Sequence, residues 1–342
     1  MPPASTSILQ QAETPAKSPV VKVLLSLIRL GIGIGLLVYL AKSGIVDLRA
    51  LSKLATAWPI TLASVALLFF DVFLMASRLF WLFRPQSLHL SFRMSLQLTL
   101  VSFFFATFLP GAAGGDIAKS FYVTRENSGR RTEIITVVIL DRVIGLFSML
   151  LLPLVFAPMF PKLIQSVPVL RYLLATAALL AVCLLAGFVV CLWNQSILNV
   201  LGRKALGFSK WRSLAIRGFE TIRIYRHSPG ILVSALGASM LANLSLIGVT
   251  ALGMHLMNPS GLEMKMCLVI PMGYIANSLP LTPGGLGVGE TAFNALFDIT
   301  GLHGGAEALL CWRIWSVFVG ILGLIFYLRG LRRSIVNIVE VR

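Results

Sequence analysis

The stretch LPGAAGGD, residues 109–116, directly follows an apolar segment, FRMSLQLTLVSFFFATF, that is long enough to lie deep in a bilayer. A proline, three glycines and an aspartate are costly at that depth, because lipid satisfies neither free backbone groups nor charge. A second stretch, LPLTPGGLGVGE at 279–290, repeats this pattern in the other half of the chain. Both stretches are therefore predicted to be breaks in membrane helices that face each other across a polar site.

The composition indicates a polytopic helical membrane protein. Of the 342 residues, 57% are hydrophobic and only 12% are charged. Apolar runs of membrane-spanning length recur along the chain, and a membrane barrel would instead show short alternating strands. The predicted fold class is all-α, with about eight spanning or re-entrant units.

The net charge of +16 does not indicate nucleic-acid binding, because the lysines and arginines lie mostly in short loops between apolar segments. In that position they set topology and contact anionic lipid headgroups. The four cysteines lie within apolar segments, without metal-ligand spacing, and are expected to be buried thiols. The four histidines are scattered, so no metal, cofactor or catalytic triad is predicted.

The predicted organisation has four parts. Residues 1–21 are polar and rich in Pro, Ser and Ala, which is typical of a disordered cytoplasmic tail. A first membrane repeat covers 22–160 and a second covers 161–330, and a basic tail follows at 331–342. Apolar segments are predicted at about 23–41, 58–83, 92–109, 134–157, 171–193, 230–257, 264–280 and 306–328. The shorter segments 116–131 and 286–300 complete re-entrant hairpins at 92–131 and 264–300.

Loop charge predicts the orientation. The segments 117–133 (with Lys119), 194–229 and the C-terminus are rich in Lys and Arg, which places them and both termini in the cytoplasm. The loop 42–57 also carries three basic residues, yet the scheme places it outside. The two halves then have opposite orientations, each with an interrupted segment at the corresponding position. Such an inverted-topology repeat is typical of transporters that bind substrate near the midplane.

The basic segment 194–229 is predicted to contain an amphipathic helix on the cytoplasmic leaflet. Apolar residues from Trp211 to Tyr225 recur at helical spacing, while arginines fall largely elsewhere around the helix. This pattern favours contact with anionic lipid headgroups. An ordinary cytoplasmic linker is the alternative.

The two breaks are predicted to hold a lipid phosphate. Helices that begin after Gly114–Gly115 and after Gly284–Gly285 would point amide-rich N-terminal ends into the membrane, and such ends attract anions. Simple close packing by the glycines is the alternative. Asp116 and Glu290 lie at these ends, where they cap the helices, pair with arginines or accept a proton during transport.

Further charged residues lie at membrane depth in the predicted spans. Asp141 and Arg142 are adjacent, so they point about 100° apart on a helix and each requires another partner. Arg142 and Arg313 are the predicted phosphate ligands, because a guanidinium group donates two parallel hydrogen bonds. Arg78 is expected to extend its charge to the membrane surface. Asp71 is expected to balance an interior arginine.

The motifs FLPGAAGGDIAKSFY, DRVIGL at 141–146 and NSLPLTPGGLGVGE at 277–290, with Arg313, resemble the lysylphosphatidylglycerol synthase transmembrane-domain family, also called flippase-like integral membrane proteins. The resemblance covers nearly all of the chain after residue 22. It implies paired re-entrant helices and a role in moving or handling lipids. It also implies a stand-alone member, because the sequence leaves no room for the soluble aminoacyltransferase domain of the two-part members.

The sequence thus predicts a lipid flippase or transporter of the inner, cytoplasmic membrane, acting on a phospholipid or a lipid-linked glycan or polyprenyl intermediate. It predicts no enzyme activity, and it is compatible with an oligomer. The alternatives are an integral membrane lipid transferase and a non-transporting partner of a lipid-modifying enzyme. The predicted substrate-binding residues are Arg142, Arg313, Gly114, Gly115, Asp116, Gly284, Gly285, Glu290, Asp141 and Asn277.

Overall fold

The computed structural model describes residues 56–108, 113–127, 129–193, 209–257, 263–279, 285 and 287–339, all within the compact unit Arg49–Arg342. The predicted tail at 1–21, the span at 23–41, most of the loop 42–57, and Gly284 lie outside these residues. The described ranges are helical and contain no strand. The predicted all-α class is therefore confirmed.

Five helices in the described part of the chain are long and apolar enough to cross a membrane. They are α1 (Trp58–Phe83), α4 (Arg131–Phe156), α6 (Pro168–Trp193), α8 (Pro229–Met257) and α11 (Gly305–Val339). Proline begins two of them, at a position where its missing N–H group leaves no helical hydrogen bond unmade. This set of helices makes the chain a multi-pass membrane protein.

Four shorter helices lie in the two ranges predicted as re-entrant hairpins, and that they re-enter the membrane stays a prediction. They are α2 (Phe92–Phe108) with α3 (Ala113–Glu126), and α9 (Met266–Asn277) with α10 (Val288–Ile299). Both glycine-rich stretches therefore interrupt helices, as predicted. In the second break Gly285 and Gly287 have φ angles of +71° and +80°, a backbone conformation that strongly favours glycine.

The hairpins and long helices pack in a reciprocal manner. Helix α11, which follows the second hairpin, packs extensively against α2 of the first hairpin, and α4, which follows the first, packs against α9 of the second. Helices α1 and α8, which precede the two hairpins, form the largest helix–helix contact. This exchange of partners is what an internal repeat would produce. That the two repeats have inverted topology stays a prediction.

Two remaining helices lie between the long ones. Helix α5 (Pro161–Ser166) follows α4, and α7 (Ser209–Ile224) lies within the basic segment 194–229. The predicted amphipathic helix is thus present from residue 209, while residues 194–208 lie outside the described part. Tyr225 is fully buried and Ile222 packs against a core cluster, so the C-terminal end of the apolar stripe covers protein rather than lipid.

The structure adds a helix to the predicted basic tail and corrects one expectation, the burial of the cysteines. The last helix continues to Val339, so most of the predicted tail at 331–342 is helical. Cys183 is exposed on α6, and Cys191 and Cys267 are partly exposed, whereas only Cys311 is buried. A thiol is apolar enough to face lipid, and for that reason position within an apolar segment does not predict burial.

Close backbone approach between α11 and α2 generates a testable prediction. A Cβ atom on Gly323 would overlap the carbonyl oxygen of Leu100, an atom that cannot move aside. We expect Gly323→Ala to lower the free energy of unfolding by about 1–3 kcal/mol, as overpacking does. Thermal unfolding of the purified protein in detergent measures this. The matched control is Gly187→Ala on α6, where no atom lies within 4 Å, and equal melting temperatures for the two variants would contradict the prediction.

Candidate functional site

The second hairpin holds an arginine at its tip through contacts on three sides. Arg313 of α11 donates from Nε to Oε1 of Glu290 at 2.8 Å. Its Nη2 donates to Oδ1 of Asn277 at 2.9 Å and to the carbonyl oxygen of Gly285 at 3.2 Å. The other carboxylate oxygen of Glu290 accepts from the N–H group of Gly287 at 2.7 Å. Glu290 therefore both caps α10 and pairs with the arginine.

Close packing shapes this tip. Cβ atoms on Gly285 and Gly289 would both overlap Oδ1 of Asn277, so only glycine lets the end of α9 approach the start of α10. The positive φ of Gly285 also turns the backbone at this point, and its carbonyl oxygen accepts from Arg313. The glycines thus allow close packing of the two helices and also position groups that contact Arg313.

The first hairpin has a matching pair at its tip. Nη1 of Arg142 on α4 donates to Oδ2 of Asp116, in the first turn of α3, at 2.7 Å. A Cβ atom on Gly115 would overlap the Oγ atom of Ser102 on α2. Gly114 lies in the same first turn of α3. The Arg142 and Asp116 side chains are 34% and 25% exposed, against 14% and 10% for Arg313 and Glu290.

The two tips correspond residue by residue. In each, a polar side chain of the first hairpin helix contacts a glycine of the second, an acid directly follows that glycine, and an arginine of the next long helix binds the acid. The sets are Ser102, Gly115, Asp116 and Arg142, and Asn277, Gly289, Glu290 and Arg313. The two breaks therefore share a common construction.

A third cluster of charges lies buried between α1, α3 and α4. Asp141 accepts from Nε of Arg78 at 2.6 Å, and its other oxygen lies 3.4 Å from Nζ of Lys119. Nη1 of Arg78 also donates to Oγ of Ser239 on α8 at 2.8 Å. All four residues are at most 4% exposed. Burial of charge at this depth requires such pairing, so the cluster ties four helices together.

A line of weaker interactions connects this cluster with the second tip. Asp71 of α1 interacts electrostatically with Arg78, and Tyr274 of α9 interacts electrostatically with both Asp71 and Arg313. The Tyr274 and Thr250 hydroxyl groups form a buried hydrogen bond of 2.7 Å. Tyr274 therefore lies within electrostatic range of both Asp71 and Arg313.

The structure brings together most of the predicted site residues. Asp116, Arg142, Gly115, Asn277, Gly285, Glu290 and Arg313 lie at the two tips. Asp141 and Arg142 take separate partners, as their spacing predicted. Asp141 instead belongs to the buried cluster, away from the Asp116–Arg142 pair.

Two expectations about basic residues were wrong. Arg78 was expected to extend to the membrane surface, but it is 4% exposed and bound to Asp141. Lys119 was assigned to a cytoplasmic loop, but it lies within α3 and binds the same carboxylate. The one sequence feature that pointed to buried basic residues was Asp141, because a carboxylate at membrane depth requires a cation. Its partners lie 63 and 22 residues away in sequence, so spacing could not identify them.

The fold and these clusters define a class: a multi-pass helical membrane protein with paired charges at two helix breaks and in its interior. The chain matches the family described as the lysylphosphatidylglycerol synthase TM region over residues 23–338, and it belongs to that family. The resemblance drawn from the motifs is therefore confirmed, and it associates the chain with lipid handling. No curated protein and no solved structure matches the chain.

The buried cluster generates a prediction about stability. Asp141→Asn leaves Arg78 and Lys119 buried without the carboxylate that they share. Removing one partner of a buried ion pair destabilises strongly, so we expect the free energy of unfolding to fall by about 3–5 kcal/mol. Denaturant or thermal unfolding in detergent measures the change. Asp298→Asn is the control, because the Asp298 side chain is 68% exposed. Unchanged stability of the Asp141 variant would refute a structural role for the cluster.

Proposed function

We propose that this chain is a lipid flippase or lipid transporter that moves a phosphate-bearing lipid across the cytoplasmic membrane. The observation that carries the proposal is the pair of matching arginine–carboxylate contacts at the two helix breaks. Breaks in membrane helices are costly unless they line a polar site, and two breaks with the same charged construction favour a binding role over packing alone. Membership of a lipid-handling family supports the same conclusion.

The proposed mechanism is competition for the arginines. A lipid phosphate carries the same kind of acceptor oxygens as Asp116 and Glu290, and a guanidinium group can bind two of them at once. The headgroup would displace the carboxylate from Arg142 at one tip, while its acyl chains stay in the bilayer. Transfer to Arg313 at the other tip would follow. Each carboxylate holds its arginine in place until the lipid arrives and again after it leaves.

The unequal exposure of the two pairs supports alternating access. The Arg142–Asp116 pair is more than twice as exposed as the Arg313–Glu290 pair. Arg142 has one nitrogen committed to Asp116, whereas Arg313 is held by Glu290, Asn277 and Gly285. The first tip therefore suits an accessible site and the second a closed one. Movement of one hairpin relative to the other would reverse these states.

Further parts of the proposal come from the charge distribution. The basic segments favour a cytoplasmic position for both termini, in a cell with an inner membrane. Exposed Arg217 on α7 would contact anionic headgroups of the cytoplasmic leaflet. Lipid is the proposed partner, with no nucleic acid and no chemical change to the lipid. Movement of the lipid without chemical change is what distinguishes the proposed transporter from a lipid-modifying enzyme.

The test is a reconstitution assay in proteoliposomes. Labelled phosphatidylglycerol, phosphatidylethanolamine and a polyprenyl phosphate are placed in one leaflet, and their movement is followed by chemical quenching of the exposed label. We expect the wild-type protein to accelerate movement of at least one of these lipids. Arg142→Gln and Arg313→Gln should each slow it by about tenfold to a hundredfold, because each removes a charge-assisted contact of roughly 1.5–3 kcal/mol.

Two controls make the result specific. Arg171→Gln changes an exposed arginine on α6 that stacks on Tyr172, and it should behave as the wild type does. Arg142→Lys keeps the positive charge but loses the forked geometry, so its rate should fall between those of the wild type and Arg142→Gln. Background-level movement of every lipid by the wild type would refute the proposal. Chemical turnover of labelled lipid in detergent would instead indicate an enzyme.

A further inference from the structure

Asp71 differs from the three interior acids that bind arginine or lysine. It lies near the middle of α1 and is only 6% exposed. Asp116, Asp141 and Glu290 each bind a basic side chain directly. Among the described residues, no hydrogen bond and no ion pair reaches the Asp71 carboxyl group. An isolated carboxylate in a medium of low dielectric constant is costly, so this group requires a proton or a distant counter-charge.

The groups around Asp71 limit what can supply that counter-charge. Arg78, on the same helix, and Tyr274, on α9, interact with it electrostatically. The Arg78 guanidinium group is already bound to Asp141 of α4 and to Ser239 of α8. The other helices packed against α1 carry further basic groups. Arg313 of α11 already binds Glu290, and His255 lies near the end of α8. Arg93, at the start of α2, is exposed.

The ionisation state of Asp71 also sets the net charge in and around the buried cluster. Arg78 and Lys119 carry two positive charges against the single negative charge of Asp141, so the buried cluster has an excess of one positive charge. An ionised Asp71 cancels that excess, and a protonated Asp71 leaves it uncancelled. Charges interact over long distances in a dry interior, so the uncancelled charge attracts an anion and the ionised carboxylate repels one.

We propose that Asp71 is a proton-binding site that couples proton movement to the movement of an anionic lipid. The proposal rests on the transport function proposed above. A proton from the aqueous phase on one side binds the carboxylate when the lipid phosphate enters. The same proton leaves to the opposite side when the lipid is released, and the carboxylate again balances the cluster. One proton accompanying one singly charged phosphate makes the step electrically neutral.

The proposed connection is electrostatic. Tyr274 lies within electrostatic range of both Asp71 and Arg313. In the proposed mechanism, a change of charge at Asp71 alters the field near the second helix break, where the lipid phosphate would bind. Proton and phosphate each favour binding of the other, and by linkage the effect is the same in both directions.

The test measures the steady-state distribution of labelled phosphatidylglycerol in proteoliposomes under a pH gradient of one unit, with the membrane potential held at zero. One-to-one coupling predicts an about tenfold excess of lipid in the leaflet facing the alkaline side. Addition of nigericin, which collapses the gradient, should return the ratio to that of protein-containing vesicles without a gradient. Protein-free vesicles give the background.

Variants at Asp71 assign the effect to this residue. In Asp71→Asn vesicles, the lipid ratio should not respond to the gradient, because the amide cannot exchange a proton. Asp71→Glu retains a titratable group and should keep a response. Asp298→Asn makes the same chemical change at an exposed position and should behave as the wild type does. If Asp71→Asn does not fold, a wild-type ratio that does not respond to the gradient still refutes the proposal, and loss of the response in a folded Asp71→Glu supports the assignment to Asp71.

The outcomes separate this proposal from the one on which it rests. Wild-type protein that equilibrates the lipid but shows no response to the gradient would refute proton coupling and leave transport intact. A full response in Asp71→Asn would show that the proton binds elsewhere and would refute the assignment to Asp71. Wild-type protein that moves no lipid would refute transport, and proton coupling with it.

Discussion

The structure depends on the requirement that every charge inside the membrane region finds an opposite charge or a proton. Asp141 meets this requirement for two cations at once, and through Arg78, Lys119 and Ser239 it joins α1, α3, α4 and α8. The buried polar contacts hold these helices in one arrangement, because a shift of any one of them would leave a charge unpaired at a cost of several kcal/mol. The apolar clusters on either side pack around this arrangement.

The same requirement explains the construction of the two helix breaks. A break exposes backbone groups that lipid cannot satisfy. Each tip contains a short polar side chain, a glycine and an acid that is bound to an arginine. Glu290 satisfies a backbone N–H group and an arginine together. Carboxylate and phosphate both present paired oxygens to an arginine. Under the proposed function, the contact that stabilises each tip is therefore also the contact for which an anionic headgroup would compete.

The reciprocal packing of the hairpins gives these sites a shared framework. Each long helix that carries a tip arginine also packs against the hairpin of the other half. Asp71 and Tyr274 add an electrostatic connection between the buried cluster and the second tip. The proposed transport requires binding on one side to change access on the other, and this packing together with the electrostatic interactions supports that part of the proposal.

The sequence by itself determined the helical membrane class, the family, the positions of both breaks and the choice of Asp116, Glu290, Arg142 and Arg313 as candidate site residues. These features follow from local composition, since long apolar runs, proline with glycine, and rare interior charges are visible along the chain. Only the tertiary structure decided which charges meet. Arg78 and Asp141 lie 63 residues apart, Arg78 proved buried, and Lys119 proved part of the interior. Pairing across helices depends on which helix faces pack together in three dimensions. Hydropathy along the sequence does not specify which faces meet.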